Sequence, residues 1–409
     1  MPPPPREVRI DNAVDRISSS RKKRNHDMLS PRTFLIGIVF AASMLLALSV
    51  YLTNQIDGQS PVPVKSSNAA VRGGAIKAVT SSEGDETVRP VICNELLNDS
   101  TLWDPNKDSD KDEMKRLTVT DPPFWIALHH PSFDKMRWVS IKQTGEYYEK
   151  GVTSIFHQIL STYDLTTIKK QQQQPPLVID IGMNIGWFSL YSRAHGHDVA
   201  AFEPNPVMFL RMCESLEYNK WGSDNDDNSG RNSVSLWKYG LGVAKGSFNL
   251  TTGNNPGGSS FFEDRLAKKF RKTIPVEVTT LDTVAVRQGW LDRKVSLMKV
   301  DVEGFEPYVF EGGKRLLREG RVENLFMESS VSDVAKVGEM VDLLYSAGFR
   351  IKGIYTVHGD PYHENWWHTF NPVFGQRQGG SMESSDQMKF LAKVTCNIWW
   401  INSKYTEGQ

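Results

Sequence analysis

The sequence predicts an α/β protein with a doubly wound, mostly parallel sheet of seven strands, preceded by a single transmembrane helix and a stalk. From about residue 121 onward, apolar strand-like runs alternate with stretches of helical periodicity. Most of these strands are almost continuously apolar, as expected for a sheet that is covered on both faces. The chain has 19 Phe, 12 Tyr and 11 Trp, of which only Phe34, Phe40, Tyr51 and Trp103 precede residue 121.

The composition excludes several classes of protein. Lys+Arg and Asp+Glu both number 48, so no excess of positive charge draws the chain to nucleic acid. Apolar residues make up 39% of the 409 residues, so the chain is not wholly disordered. Three cysteines are too few for a disulfide scaffold or a multi-cysteine zinc protein.

Residues 34–53 form a run of twenty residues without a charge. As a helix this run is about 30 Å long, which matches the hydrocarbon layer of a membrane. Eight Lys and Arg residues precede it and the first one after it is Lys65, so the basic tail, residues 1–33, is predicted to be cytosolic. A cleaved signal peptide and a buried core helix are the alternatives. The run exceeds a signal peptide's usual apolar length, and its flanks are polar and rich in proline.

Residues 54–120 are predicted to be a stalk, largely disordered, and residues 121–409 the folded domain. Residues 91–120, which contain an acidic stretch at 104–113, are expected to be partly ordered. Asn98 and Asn249 begin glycosylation triplets if this part of the chain is lumenal. For the cysteines, a Cys93–Cys396 bridge is one hypothesis, and Cys213 is expected to be a buried thiol.

Turn signals and apolar periodicity place the elements of the domain. Helices are predicted at 147–160, 187–194, 206–219, 307–317 and 331–347. Strands are predicted at 177–181, 199–202, 234–239, 276–280, 295–300, 325–328, 350–355 and 394–401. Residues 222–231 read as a polar loop insertion.

The first of these strands ends in Asp180-Ile-Gly-Met-Asn184-Ile-Gly186, directly before a helix. A glycine turn at this edge of a wound sheet is a common ligand position. The spacing is GxxxG after an acid, whereas a dinucleotide fingerprint has three glycines as GxGxxG. A carboxylate here repels a pyrophosphate and attracts a cation. S-adenosylmethionine, which carries a sulfonium and an amino group but no phosphate, fits this turn.

The second strand ends in Phe-Glu203-Pro-Asn-Pro. Glu203 lies 23 residues after Asp180, where an acid can accept hydrogen bonds from ribose hydroxyls. A glycine turn that binds no ligand would be enough to explain a single GxxxG spacing. Strand, acid, glycines, helix, strand and acid in this order favour a cofactor site.

These residues resemble the FkbM-type methyltransferases, which have a class I, Rossmann-like, S-adenosylmethionine-dependent fold. The resemblance covers about residues 147–402 and is carried by VIDIGMNIGWFSL (178–190), AFEPNP (201–206), VTTLD (278–282) and LMKVDVEGFEPYVFEGG (297–313). Met183 departs from the small residue that is more common in the family. The resemblance implies that Asp180, Gly182 and Gly186 line the cofactor's methionine part and that Glu203 binds its ribose. Asn184 is a further candidate for cofactor binding. It places Asp301 against the methyl group or the acceptor.

Removing a proton from an acceptor hydroxyl requires a nearby base. Asp301 is the first candidate, and Glu303 or Glu328 is expected to share the role. The alternatives are that Asp301 only orients the cofactor and that Glu303 and Glu306 are structural. Four carboxylates offer a second alternative, a Mg²⁺ site, although no spacing demands one: Asp301, Glu303, Glu306 and Glu328.

His363-Glu-Asn-Trp-Trp-His368 has one residue too many for a zinc motif. Its histidines and tryptophans are either part of an acceptor pocket or ordinary packing, and Trp399-Trp400 is expected to lie in the core.

Together these features predict a type II single-pass membrane protein with a lumenal methyltransferase domain in the Golgi or another secretory membrane. Its acceptor is expected to be the hydroxyl of a glycan or of another small molecule, and nucleic acid is not expected as a partner. A catalytically inactive binding or scaffold module and a nicotinamide-dependent oxidoreductase are the alternatives.

Overall fold

The computed structural model describes residues 88–171, 173–221, 233–252, 259–261, 272–361, 391 and 395–406, which belong to one compact unit. The predicted anchor at 34–53, the insertion at 222–231 and the motif at 363–368 lie outside these residues. Within the described ranges, no helix is long and apolar enough to cross a membrane.

Each of the eight predicted runs overlaps an observed strand, with ends that differ by up to four residues, and four further strands were not predicted. In chain order they are β1 (Lys115–Leu117), β2 (Trp125–Ala127), β3 (Leu177–Ile181), β4 (Asp198–Phe202), β5 (Val234–Trp237), β6 (Gly240–Leu241), β7 (Gly246–Thr252), β8 (Lys272–Thr279), β9 (Lys294–Val300), β10 (Arg321–Ser329), β11 (Phe349–Tyr355) and β12 (Cys396–Asn402).

The helices alternate with these strands. They are α1 (Cys93–Leu97), α2 (Lys135–Arg137) with a π-helical continuation (Trp138–Lys142), α3 (Lys150–Leu160), α4 (Leu165–Lys170), α5 (Trp187–Ala194), α6 (Pro206–Asn219), α7 (Leu281–Arg287), α8 (Glu306–Glu311), α9 (Lys314–Glu319), α10 (Val334–Ser346) and α11 (Ser403–Thr406).

Seven strands form the main sheet in the order β11-β12-β10-β9-β3-β4-β5. All neighbours from β10 to β5 pair in parallel, and β12 is antiparallel to both of its neighbours. In the register, Ile181 is opposite Phe202 on β4 and opposite Val300 on β9. Three parallel strands therefore end together, which confirms the predicted α/β sheet and forms the edge where a ligand binds in such folds.

Helices cover both faces of the sheet. On β3, Ile179 joins one buried cluster with Val284 of α7 and Val341 of α10. The adjacent Val178 points the opposite way and joins a second cluster with Phe156 of α3 and Phe209 of α6. Successive strand residues face opposite sides, so the continuous apolar runs reflect burial on both faces. Trp399 and Trp400 are both buried, as predicted.

A second, three-stranded sheet in the order β6-β8-β7 contains the predicted strand at 276–280. β8 pairs antiparallel with β7 and parallel with β6, and it has no partner in the main sheet among the described residues. Its exposed and buried residues alternate over part of its length, in contrast to the continuous burial of β3 and β4. Sequence analysis did not separate the two sheets.

The predicted helix at 307–317 is two helices, α8 and α9. They are separated at Gly312, where a side chain would overlap the carbonyl oxygen of Gly242. The Gly312 carbonyl accepts a hydrogen bond from the backbone N–H of Asp282 at 2.9 Å. This close approach of a distant backbone segment ends the first helix.

Residues 88–120, which sequence analysis assigned to the stalk, pack on the domain. The backbone N–H of Val91 donates to the carbonyl of Leu236 on β5 at 2.7 Å. Arg211 of α6, which is fully buried, pairs with Asp104 at 2.8 Å. The folded part therefore begins by residue 88 instead of 121. Polar contacts, a disulfide and scattered apolar side chains such as Leu96 hold this segment, which lacks the apolar periodicity on which the boundary was predicted.

Cys93 forms a disulfide with Cys213, whose Cα atom is 5.3 Å away, and not with Cys396. Cys396 is a free, buried thiol at the start of β12. The prediction that Cys213 is a free thiol is therefore wrong, although the residue is buried as expected. The reason is tertiary, because α1 packs against α6 and brings together two cysteines that are 120 residues apart.

We expect Cys93→Ser to lower the free energy of unfolding by about 2–4 kcal/mol, because the disulfide closes a long loop in the unfolded chain. Urea denaturation followed by fluorescence measures the change. The wild-type chain under reducing conditions is the matched comparison and should unfold like the variant. Equal midpoints of the oxidised wild type and the variant would show that the bridge does not stabilise the fold.

Candidate active site

A cleft with about 620 Å³ of open space lies at the carboxyl ends of β3, β4 and β9. Its polar lining residues include Asn184, Glu203, Asp301 and Glu303. Its apolar lining residues include Tyr239, Leu241, Leu250, Phe261 and Phe305. A concave surface that combines apolar side chains with a few polar groups is typical of a small-molecule site.

The turn after β3 brings the backbone close to the cleft. Gly182, Asn184 and Gly186 all have a positive φ, at 77°, 57° and 91°. A side chain at Gly182 would overlap the carbonyl oxygen of Asp301, and one at Gly186 would overlap the sulfur of Met212. Gly182 and Asn184 line the cleft, whereas Gly186 caps the N-terminus of α5. Gly186 thus shapes the turn that the resemblance identified as cofactor-binding.

Glu203 is fixed at the end of β4 by two backbone hydrogen bonds. Its Oε2 accepts from the N–H of Asn184 at 3.0 Å, and its Oε1 accepts from the N–H of Asn205 at 2.9 Å. The residue is only 7% exposed. Burial raises the pKa of Glu203 to about 7, although the bonds from Asn205 and Asn184 oppose the rise. A lining carboxylate held in this way is well placed to accept further hydrogen bonds.

Asp180 lies beneath the cleft and is not among its lining residues. Its Oδ2 accepts a hydrogen bond from Ser189 of α5 at 2.6 Å, and its Oδ1 is 3.5 Å from the Nζ of Lys299. Lys299 is its cross-strand neighbour on β9. Strand alternation turns Asp180 towards α5. It therefore supports the site through Lys299, which differs from the direct contact that the resemblance implied.

Lys299 connects β3 and β9 directly below the cleft. Its Nζ donates to the carbonyl of Gly182 at 3.1 Å and lies 3.2 Å from Oδ2 of Asp301. Burial alone would lower the pKa of Lys299, but the charges of Asp301, Asp180 and Glu149 outweigh it and raise the pKa. Lys299 is therefore a fixed positive charge among carboxylates.

Asp301 emerges directly after β9, as predicted, and lines the cleft with its side chain 34% exposed. Its backbone N–H donates to the carbonyl of Ile181 at 3.0 Å. The end of β9 is thereby held against the end of β3. The carboxylate of Asp301 faces the cleft while one of its oxygens remains paired with Lys299.

A tight turn follows Asp301. Glu303 has a φ of 54° and lines the cleft, and Gly304 has a φ of 95°. Glu306 is fully buried, and its Oε1 accepts from the N–H groups of Val302 at 3.2 Å and Gly304 at 3.1 Å. Burial raises the pKa of Glu306 to about 7 against these bonds. Glu306 therefore holds the turn and does not face a ligand.

Glu328 on β10 is not a lining residue of the cleft. Burial, followed by repulsion from the carboxylates of Asp301, Glu303, Glu306 and Glu149, raises the pKa of Glu328 to about 10. The carboxyl group of Glu328 does not line the cleft, and the role of proton acceptor that sequence analysis gave it stays a prediction.

The described residues contain no cluster of three or more His, Cys, Asp or Glu side chains arranged to hold a metal ion. Of the four carboxylates considered for Mg²⁺, Glu306 holds a backbone turn and Asp301 pairs with Lys299.

Residues 180–351 match the family model of the methyltransferase FkbM domain. Methyltransferase sdnD from Sordaria araneosa is 30% identical over 226 residues, which cover 48% of this chain and 78% of that protein. The chain belongs to the FkbM methyltransferase family. S-adenosylmethionine is the cofactor of this methyltransferase.

Solved methyltransferases resemble the chain at low sequence identity. A protein from Streptococcus mutans assigned as a SAM-dependent methyltransferase has a TM-score of 0.33 and 8% identity over 70% of this chain and 55% of its own, so the chain spans about half of its length. Magnesium protoporphyrin IX methyltransferase from Synechocystis PCC 6803, solved with bound SAM, has a TM-score of 0.29 and 11% identity over 65% of this chain and 90% of its own. The family assignment rests on the family model and the Sordaria relative.

The cleft of this FkbM methyltransferase fits S-adenosylmethionine. Glu203 would hold the ribose hydroxyls with its fixed carboxylate, beside the half-buried backbone turn at Gly182 and Asn184. Asp301 and Glu303 offer negative charge to the sulfonium and the amino group. The rings of Phe261 and Phe305, whose centroids are 4.8 Å apart, belong to an apolar wall that suits adenine.

Sequence analysis missed three parts of the site. Lys299 is a lysine within the apolar run of a central strand, and this unusual position was a usable signal. Glu149 precedes α3 and its charge interacts with Asp301, but no local pattern marks it. The apolar wall uses Leu241 and Leu250 of the second sheet, whose placement depends on tertiary pairing.

We expect the affinity for adenosine to rise roughly tenfold between pH 6 and pH 8, because Glu203 ionises near pH 7 and its charged form is the better acceptor for ribose hydroxyls. Titration calorimetry measures the dissociation constant of adenosine at each pH. Adenosine is the preferred probe because the amino group of S-adenosylmethionine titrates in the same range. The dependence should vanish in Glu203→Gln. If it persists there, another group controls it.

Proposed function

We propose that this methyltransferase transfers a methyl group to the hydroxyl oxygen of a glycan, and that it does so as a membrane-anchored enzyme in the lumen of a secretory compartment. The observation that carries the O-methyl transfer is the position of Asp301. It is a carboxylate at the end of the central strand, exposed to the cleft and fixed by Lys299 beside the cofactor turn.

S-adenosylmethionine supplies an electrophilic methyl group on a positively charged sulfur. Asp301 and Lys299 form a rigid pair because Lys299 is also bound to Gly182 and Asp180. A rigid carboxylate can hold an acceptor hydroxyl at one angle to the cleft. Holding the two reacting atoms in line contributes much of the rate in such a displacement.

The charge of the site favours a neutral or cationic acceptor. The negative charges of Asp301, Asp180 and Glu149 act on the buried ammonium of Lys299, and Glu303 adds a further carboxylate to the lining of the cleft. An acceptor with its own carboxylate or phosphate would be repelled. A neutral sugar presents several hydroxyl groups and no charge, which supports a glycan as the acceptor class.

Three features support a lumenal position. Residues 34–53 are long enough to span a membrane, and the basic residues are on the N-terminal side. The Cys93–Cys213 disulfide is typical of an oxidising compartment. Asn98 and Asn249, which begin glycosylation triplets, are both exposed. We therefore propose a type II protein with its tail, residues 1–33, in the cytosol.

The family assignment disfavours a nicotinamide-dependent oxidoreductase. A module that keeps the fold without transferring methyl groups is the remaining alternative. It would bind S-adenosylmethionine or nothing, and it would label no acceptor.

We expect the full chain in detergent to transfer label from methyl-tritiated S-adenosylmethionine to oligosaccharides released from secreted glycoproteins. The label should resist alkali, because a methyl ether is stable where a methyl ester releases methanol. The readout is chromatography of the labelled sugars after alkali treatment. Alkali-labile label, or label only in lipid or protein, would contradict the glycan hydroxyl, and no label would favour the inactive module.

Asp301→Asn is the matched variant for this assay. It keeps the shape of the side chain but removes the charge paired with Lys299, so we expect turnover to fall by about 100-fold or more while cofactor affinity changes far less. An equal loss of turnover and of cofactor affinity would show that Asp301 only binds the cofactor.

In sealed microsomes, we expect an added protease to leave residues 88–406 intact and to degrade them after detergent is added. Glycosidase treatment should increase the mobility of the wild-type chain, and Asn98→Gln with Asn249→Gln should remove that shift. Digestion of this region without detergent would contradict the lumenal orientation.

A further inference from the structure

Two histidines and a tyrosine meet where the end of α3 packs beside the end of α5. We propose that His157 and His195 are the nitrogen ligands of a Zn²⁺ ion and that the hydroxyl of Tyr191 is a third donor. Such an ion would join the two helices. The site is independent of the proposed methyl transfer, because these three residues are not among those that line the cleft.

The three side chains converge on one atom. Nδ1 of His157 lies 3.0 Å from the hydroxyl oxygen of Tyr191 and 3.3 Å from Nε2 of His195. Two nitrogens that bind one tetrahedral Zn²⁺ at about 2.05 Å are about 3.3 Å apart. The two imidazoles therefore already have the nitrogen separation that a shared ion requires.

The backbone sets the tautomer of His195. Its Nδ1 lies 2.9 Å from the carbonyl oxygen of Tyr191, and a carbonyl can only accept, so Nδ1 carries the proton of the neutral ring. Nε2 then presents a lone pair towards His157. Histidines that bind metals usually have this arrangement, in which the second ring nitrogen donates to a backbone carbonyl or a carboxylate.

The neutral side chains cannot satisfy all of these contacts by themselves. Nδ1 of His157 either accepts from the hydroxyl of Tyr191 or donates to the lone pair of His195, because a ring nitrogen has one position for a proton or a lone pair. If it accepts, two nitrogen lone pairs face each other at 3.3 Å. A cation between the nitrogens would bind both lone pairs and remove this conflict.

The packing of α3 on α5 fixes the separation of the two histidines. Nε1 of Trp187 donates to the hydroxyl of Thr153 at 3.2 Å, and the rings of Phe156 and Phe188 are 4.4 Å apart. One histidine lies in the last turn of α3, and the other directly follows α5. The two ligands are therefore carried by helices that contact each other through buried side chains.

The site is accessible to an ion from solvent. His157 is exposed, His195 is half-buried and Tyr191 is buried, so water can complete the coordination on the outer side. Imidazole nitrogens favour Zn²⁺, whereas Mg²⁺ and Ca²⁺ prefer oxygen ligands. The charge of Asp121 acts on Tyr191 and His195 and adds to the attraction for a cation.

No local sequence pattern marks this site, since its histidines are 38 residues apart. The group has two histidines and a tyrosine, so it differs from the clusters of three or more His, Cys, Asp or Glu that are absent from the described residues. Its defining property is an affinity for Zn²⁺ that depends on both histidines.

The test is a calorimetric titration of the full chain with Zn²⁺ at pH 7.5, after treatment with a chelator and removal of the chelator. We expect a saturable site in the wild type whose affinity falls by more than tenfold in His157→Ala and in His195→Ala. Tyr191→Phe removes only the hydroxyl and should weaken binding by a smaller factor. Unchanged affinity in Tyr191→Phe would overturn the part assigned to the tyrosine.

His358→Ala is the matched control. His358 is also an exposed histidine, and it lies in the loop after β11. The control should bind Zn²⁺ like the wild type. If His157→Ala binds as tightly as the wild type, or if the control loses as much affinity as His157→Ala, the binding is that of an adventitious ion only and the site is overturned. A wild-type chain without saturable binding would overturn it as well.

A second measurement reports the geometry of the ion. Co²⁺ in place of Zn²⁺ should give the visible absorption of a tetrahedral site in the wild type and in His358→Ala, and this absorption should be lost in His195→Ala. Both histidine variants should bind S-adenosylmethionine with the affinity of the wild type, which shows that they are folded. The weak absorption of six-coordinate Co²⁺ in every protein would contradict the tetrahedral site.

Discussion

The contact between Lys299 and its three partners determines how the site is built. Its ammonium binds the carbonyl of Gly182 and the carboxylates of Asp180 and Asp301, so one side chain joins the ends of β3 and β9. The glycine turn at Gly182 and the backbone of Asp301 can then pack in direct contact. An isolated buried ammonium would be strongly unfavourable, so the carboxylates and the lysine depend on one another.

An excess of carboxylates around one lysine also explains the chemistry. The cleft attracts a cationic cofactor, and burial raises the pKa of Glu203, Glu149 and Glu306 to about 7. Similar pKa values have different consequences because the surroundings differ. Glu203 lines the cleft, Glu306 holds a backbone turn, and Glu149 is not a lining residue although the charge of Asp301 acts on it.

The parts outside the main sheet complete the domain. The three-stranded sheet supplies Leu241 and Leu250 to the apolar wall of the cleft. The segment at 88–120 is fastened to α6 by the Cys93–Cys213 disulfide and by Asp104 with Arg211. α6 begins directly after Glu203 and Asn205. The disulfide and the ion pair therefore stabilise the helix next to the proposed ribose position.

The sequence by itself determined the sheet, the glycine turn, Glu203 and the position of Asp301, because burial on both faces and tight turns leave local patterns in the chain. Only the tertiary structure decided the disulfide partner of Cys93 and the existence of the second sheet. It also decided that the side chain of Asp180 contacts Ser189 and Lys299 instead of lining the cleft. It decided further that burial and neighbouring carboxylates raise the pKa of Glu328 and that the charge of Asp301 raises the pKa of Glu149. These features depend on residues far apart in the chain, whose burial and mutual charge are set only when the strands pair.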